Sequence, residues 1–446
     1  MTNGRIGWLG IARLGLVQAS LGAIVVLCTS TMNRVMQVEL MLPAILPGTL
    51  VALHYVIQIL RPRLGYGSDV GGRRTPWIIG GMAMLAGGGV LAALATAWMG
   101  SHLGAAIALA VIAYTLIGVG VGAAGTSLLV LLAKRVDPPR RPAAATIVWL
   151  MMILGIALTA GIAGHLLAPF SGRRLVEVTA AVGALALVMT LLAVWGMEGA
   201  PDRAPAAAPV AQPPFLVAFG QVWGERQVRH FALLVFVSML AYSAQELVIE
   251  PFAGAVFGLA PGQSTQLVGV QHGGVLLGMI LLALAGGASA RWGVGSLRVW
   301  MALGCFASTI GLLAMASAGS VGADWPLAGS FFLLGMANGF FCAAAIGSMM
   351  QLAGSGREAR EGVRMGLWGA AQALAFGLGS MAGSSAVDLA RLLLGSPVAA
   401  YAAVFAGQAM LFLVAGLLSL RIGQPAAEVE LVVAGGKPAG MRGWLG

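Results

Sequence analysis

Residues 41–99 read MLPAILPGTLVALHYVIQIL (41–60), RPRLGYGSDVGGRRT (61–75) and PWIIGGMAMLAGGGVLAALATAWM (76–99). Two apolar runs flank a short loop that carries Arg61, Arg63, Asp69, Arg73 and Arg74. A helix needs about 20 apolar residues to cross the hydrocarbon of a bilayer. The stretch therefore predicts two membrane helices joined by a cationic turn. The same reading over all 446 residues gives about twelve spans. The first six cover roughly 14–33, 41–60, 76–99, 104–133, 143–169 and 175–196. The second six cover roughly 230–257, 266–290, 297–318, 326–352, 363–388 and 397–420. The first run has no clear small-residue cleavage site and further spans follow it, so it reads as a retained helix rather than a signal peptide.

Composition agrees. The chain is 59% hydrophobic and 9% charged, whereas a soluble domain carries about a quarter charged residues. Such a chain cannot cover a water-facing surface, which excludes soluble enzymes, disordered proteins and secreted disulfide scaffolds. Cys28, Cys305 and Cys342 all fall in apolar runs without metal-ligand spacing and read as buried free thiols. The net charge of +10 is not a nucleic-acid signal, because 21 of the 25 Lys and Arg fall in alternate short loops on one side. Only Arg34, Arg173, Arg174 and Arg391 fall opposite. Under the positive-inside rule this places both termini in the cytoplasm.

Between the sixth and seventh runs, GMEGAPDRAPAAAPVAQPPF (196–215) is too rich in Pro and Ala to pack and reads as a linker. The expected organisation is an all-α protein with a six-helix bundle over 1–196, a cytoplasmic linker over 197–229, a second bundle over 230–421 and a cytoplasmic tail over 422–446. The segment Gly287 to Gly295 after the eighth run echoes the loop after the second, without its acid and Arg pair. Gly65, Asp69, Arg73 and Arg74 match the spacing Gly-x-x-x-Asp-x-x-x-Arg-Arg. This loop resembles the signature of the major facilitator superfamily, whose halves are related as parallel repeats. The resemblance implies a cytoplasmic gating loop. Locally, glycines permit the turn, while a carboxylate can accept from helix N-termini and pair with a guanidinium.

Other segments resemble the PucC family of photosynthetic bacteria: Met32-Asn33-Arg34-Val35-Met36 with Glu39, Gly67-Ser68-Asp69 with Arg73-Arg74-Thr75-Pro76, Ala244-Gln245-Glu246-Leu247-Val248-Ile249-Glu250-Pro251-Phe252, and His272-Gly273-Gly274 with Gly278-Met279. The resemblance implies bacteriochlorophyll delivery or light-harvesting complex assembly, with bacteriochlorophyll as cargo rather than resident cofactor. Partners would be light-harvesting polypeptides, or bacteriochlorophyll synthase or reductase. One branch of the family is described as a subunit of that synthase, and the short N-terminus here is most similar to it.

Ionisable groups at membrane depth cost about 2.5–3.5 kcal/mol on insertion scales and mark function by default. Glu246 and Glu250, with Gln245 beside them, share a face at i and i+4 of the seventh helix. They read either as a proton or partner site, or as an outer pair bonded to Arg34 or to backbone. Pro251 is expected to loosen the helix just after them. Arg34 and Glu39 read as an outer ion pair flanking the turn after the first span, with Arg34 snorkelling to the interface. His54 and Gln58 share a face of the second helix, and His272 lies in the eighth. Each histidine is either a magnesium ligand for a chlorin or a structural hydrogen-bonding group. Repeated small-x-x-x-small spacings, such as Gly118 with Gly122 and Gly335 with Gly339, predict close helix crossings.

No nucleotide-binding loop is present, and Asp69, Asp137, Asp202, Asp324 and Asp388 are too scattered for diphosphate chemistry. A non-enzymatic membrane protein with no metal site is expected. The alternatives are a proton-coupled transporter using Glu246 and Glu250, or a non-catalytic subunit of the synthase complex.

Overall fold

A computed structural model describes residues 6–60, 73–137, 140–198, 224, 226–292, 296–354 and 361–421. Within them the chain forms helices only. These are α1 (Trp8–Glu39), α2 (Ile45–Leu60), α3 (Thr75–Trp98), α4 (Leu103–Arg135), α5 (Arg141–Leu166) and α6 (Gly172–Val194), then α7 (Arg226–Phe257), α8 (Pro261–Trp292), α9 (Leu297–Val321), α10 (Leu327–Gly354), α11 (Glu361–Leu394) and α12 (Pro397–Arg421). Eleven of these described helices are long and apolar enough to cross a bilayer, and α2 is a shorter apolar helix. The protein is a multi-pass membrane protein of two six-helix halves. The end of the bundle where α1 starts and α12 finishes is called the near rim below, and the end holding the α1–α2 turn the far rim.

Several expected boundaries move. The second span starts at Ile45, after the Pro43 turn. Helix α7 begins at Arg226, inside the segment read as linker. Helix α1 starts at Trp8 and does not stop at residue 33 but continues to Glu39 through two π-helical turns, Leu27–Thr31 and Val35–Glu39. Charge at Arg34 looks like the end of an apolar run. Here it is instead buried by the other half of the protein.

Apolar side chains sort into two cores. One joins the helices of the first half, Ile11 to Met197, and takes in Leu247, Val268, Val275 and Met279 from α7 and α8. The other lies within the second half and takes in Ala44. The halves meet where α1 packs on α7, α5 on α8, and α2 on α11. Burial identifies the axis of the molecule: 67% of the α7 window and 61% of the α1 window are buried, against 28% for α5. The rest of the helix surface is apolar, as lipid requires, with Leu392 and Leu9 standing 82% and 79% exposed. The expected glycine crossings are present. A Cβ at Gly335 would overlap the carbonyl of Gln271 on α8, and one at Gly118 would press on the carbonyl of His54 on α2.

Candidate functional site

The polar run of α1 starts at Thr29. A π turn accommodates an extra residue and resets which side chains face a neighbour. The two π turns together leave Ser30, Asn33, Arg34 and Gln37 all buried, and the first three bond to groups of the second half. Asn33 carries the most informative contact. Pro251 has no N–H, so the carbonyl of Leu247, four residues earlier, loses its helical donor. The Asn33 Nδ2 amide donates to that carbonyl at 2.8 Å, and Asn33 Oδ1 accepts from Gln37 Nε2 at 2.7 Å. The expected loosening after Pro251 does not occur. Helix α7 runs on to Phe257, because α1 supplies the missing donor.

One turn away, Glu250 is fully buried and accepts three hydroxyl hydrogen bonds: from Ser30 of α1, from Ser264 at 3.1 Å and from Thr265 at 2.8 Å. Thr31 and Thr265 share a further bond at 3.1 Å. Helices α1, α7 and α8 are thus pinned together by one carboxylate. Arg34 lies beside it, 1% exposed. It does not flank a turn or reach the interface. Arg34 donates to Glu39, with which it forms the expected ion pair, and to the carbonyl of Leu259 at the end of α7. These two partners offset part of the cost of burying the guanidinium; its Nε has no partner among the described residues.

Glu246 is different. From Tyr242 to Glu250 every residue is buried apart from Glu246 itself, which stays half-buried. Along this part of α7 Glu246 is thus the least buried residue. Tyr242 of its own helix and Cys342 of α10 lie within electrostatic reach. Tyr55 of α2 stacks at 5.0 Å on Phe376 of α11, which meets Tyr242 at 6.0 Å. The two carboxylates therefore share a helix but not an environment. Gln245 is fully buried, and neither of its amide atoms has a partner among the described residues.

The histidines are placed separately. His54 donates from Nδ1 to the Val51 carbonyl at 3.1 Å, and Gln58 donates to its Nε2 at 2.9 Å, so both ring nitrogens are engaged. His272 donates from Nδ1 to the Val268 carbonyl at 3.0 Å, which leaves Nε2 as the basic nitrogen. An open cleft of about 410 Å³ at the far rim, lined by His165, Arg174 and Glu177, holds none of these groups.

At the near rim, Gly65 and Asp69 lie outside the described residues. Arg73 is exposed and Arg74 is buried. Glu198, just past α6, accepts from the backbone N–H of Arg74 and from that of Thr75 at 2.8 Å, capping α3. Burial works against its charge, but these backbone donors and the Arg74 guanidinium hold its carboxyl below the ordinary range. Sequence reading missed Ser30, Asn33, Ser264, Thr265 and Glu198 as site residues. The polar cluster Thr29-Ser30-Thr31 inside an apolar run was the available signal.

A family model described as "PUCC protein" matches residues 31–426. A Rhodobacter capsulatus protein named "Bacteriochlorophyll synthase 44.5 kDa chain" is 51% identical over 434 residues, covering 96% of this chain and 99% of its own. "Protein PucC" of the same organism is 29% identical over 424 residues, covering 91% and 90%. Among solved structures, the nucleoside transporter NupG aligns with a TM-score of 0.66 at 15% identity, covering 93% of this chain and 99% of its own. A POT peptide transporter aligns with a TM-score of 0.68 at 14% identity, covering 94% and 96%. At such identity these structures establish the fold alone, that of major-facilitator-type transporters.

Proposed function

The chain belongs to the PUCC protein family, and we propose that within it this member handles bacteriochlorophyll without chemistry of its own, delivering the pigment or assembling the light-harvesting complexes that receive it. The observation that carries this reading is the 51% identity, end to end, with a protein named as a bacteriochlorophyll synthase chain. That name favours synthase or reductase as the partner, and the PucC relatives favour antenna polypeptides.

In this reading the protein sits in the inner, intracytoplasmic membrane with both termini in the cytoplasm, as 21 of 25 cations on one side support. The bundles span 1–196 and 226–421, joined by a cytoplasmic linker that ends where α7 begins at Arg226, with the tail 422–446 also cytoplasmic. Glu246 anchors the polar edge of the cargo, because it is the less buried of the two α7 carboxylates. Gln245 and His272 supply further polar contacts, and His54 with Gln58 braces α2. Arg34 and Glu39 hold the far rim around Glu250. The loop of Gly65, Asp69, Arg73 and Arg74 gates the near rim.

The test is purification in mild detergent, followed by an absorption spectrum and identification of co-purifying proteins. Bound bacteriochlorophyll that falls several-fold in Glu246→Gln, or recovery of the synthase or antenna polypeptides, is the expected result. A second reading, proton-coupled transport of another small molecule, is favoured by the two carboxylates, Glu246 and Glu250, on the most buried helix of the bundle. A colourless protein without partners, whose vesicles show pH-gradient-driven flux lost in Glu246→Gln with Glu250→Gln, decides for transport and against pigment handling.

A further inference from the structure

A second seam joins the halves where α11 runs antiparallel to α2. From the far rim inward, Asp388 meets Ala44 and Ile45, Ser384 meets Gly48, and Phe376 meets Tyr55. The partners step by whole turns on each helix, one and then two, so the two helices stay in register. At Gly48 the approach is close enough that an added Cβ would overlap the Ser384 side chain.

The rim contact has a specific chemistry. Asp388 Oδ1 accepts the backbone N–H of Ala44 at 2.8 Å, and Oδ2 accepts that of Ile45 at 2.8 Å. These belong to the first N–H groups of α2, which no helix can satisfy from within, and the positive end of the helix dipole favours an anion there. The local sequence offers no cap of its own. Pro43 precedes Ala44, and neither carries a side-chain acceptor. Helix α8, the corresponding helix of the second half, is served locally, with Gln263 accepting from the Ala260 N–H at 3.0 Å. The first half therefore borrows a helix cap from the second.

We infer that Asp388 is the latch of the far rim. Separating the halves there uncaps α2 and takes the carboxylate away from two backbone donors, so the closed rim is favoured while Asp388 is in place. This is the same type of contact that the sequence assigns to Asp69 at the near rim, at the opposite end of the bundle. It holds whatever the cargo is.

The test uses the full chain in lipid nanodiscs, with Cys28, Cys305 and Cys342 changed to alanine. Spin labels go on the exposed rim positions, Ser101→Cys in the first half and Ser320→Cys in the second. In a separate preparation Ser384→Cys reports seam opening by its reaction rate with a membrane-impermeant methanethiosulfonate. With Asp388 present, the label distance is narrow and Ser384→Cys reacts slowly. Asp388→Ala should lengthen or broaden the distance and raise the reaction rate about tenfold, the factor that about 1.4 kcal/mol represents. Asp388→Asn, which keeps the shape and one acceptor, should fall between. Unchanged distance and a rate within twofold in Asp388→Asn and Asp388→Ala overturn the latch. If the alanine protein is not recovered monodisperse, the asparagine protein alone decides, on the same two readouts.

Discussion

Replacing Asn33 by leucine tests whether α1 completes the hydrogen bonding of α7. The change removes the amide that donates to the Leu247 carbonyl, and no N–H exists at Pro251 to replace it. A buried backbone carbonyl left without a donor costs about 1–3 kcal/mol. Loss of the Gln37–Asn33 bond adds about 0.6 kcal/mol, the typical worth of an interhelical or side-chain bond in a membrane bundle. Asn33→Leu alone should therefore destabilise by about 2–3 kcal/mol.

The same change in a Pro251→Ala background should cost only about 1 kcal/mol, because the alanine N–H restores the intrahelical bond to Leu247. The Gln37 contribution is common to both backgrounds and cancels in the cycle. The expected coupling is thus about 1–2 kcal/mol between residues on different halves of the protein. Reversible unfolding in mixed micelles, followed by tryptophan fluorescence and far-ultraviolet circular dichroism, measures all four proteins. A coupling energy within about 0.5 kcal/mol of zero would refute the account of Pro251 and Asn33 as one unit.

Two further outcomes follow from the same packing. Gly335→Ala places a methyl group on the Gln271 carbonyl and should destabilise by about 3 kcal/mol or more, whereas Gly80→Ala meets open space and should stay within about 0.5 kcal/mol of the parent, in the same micelle assay. Glu198 has a folded-state pKa below its unfolded value, so its cap contributes above the ordinary carboxylate range and is lost as pH falls. Thermal stability of the parent should drop more steeply below about pH 4 than that of Glu198→Gln, and parallel acid limbs would remove the cap from the argument.

Much of the architecture is legible along the chain because lipid imposes a simple rule on each segment by itself. Any run of about 20 apolar residues must be a helix, whatever its neighbours. Arg34 with Glu39 is also legible, as opposite charges close in sequence. The end of α1 is not, because the reading treats Arg34 as the start of solvent. Only the Leu259 carbonyl and Glu39, supplied after folding, make burial of that guanidinium affordable. Nor does the i, i+4 spacing of Glu246 and Glu250 distinguish them. Ser30 of α1 and Ser264 and Thr265 of α8 converge on Glu250 alone.

The amino-acid sequence determines by itself what is local: helix count, the loops that carry cations, the Gly crossings and the motifs of the PUCC family. Tertiary structure alone decides which polar groups find each other. Asn33 answers Pro251 from 218 positions away by subtraction of their numbers, Glu198 caps α3 from beyond α6, and Asp388 caps α2 from the other half. A membrane interior offers no water to satisfy a stray donor or acceptor, so these groups are paired by the helix that packs beside them. That choice belongs to the packing and leaves no periodic trace in the chain.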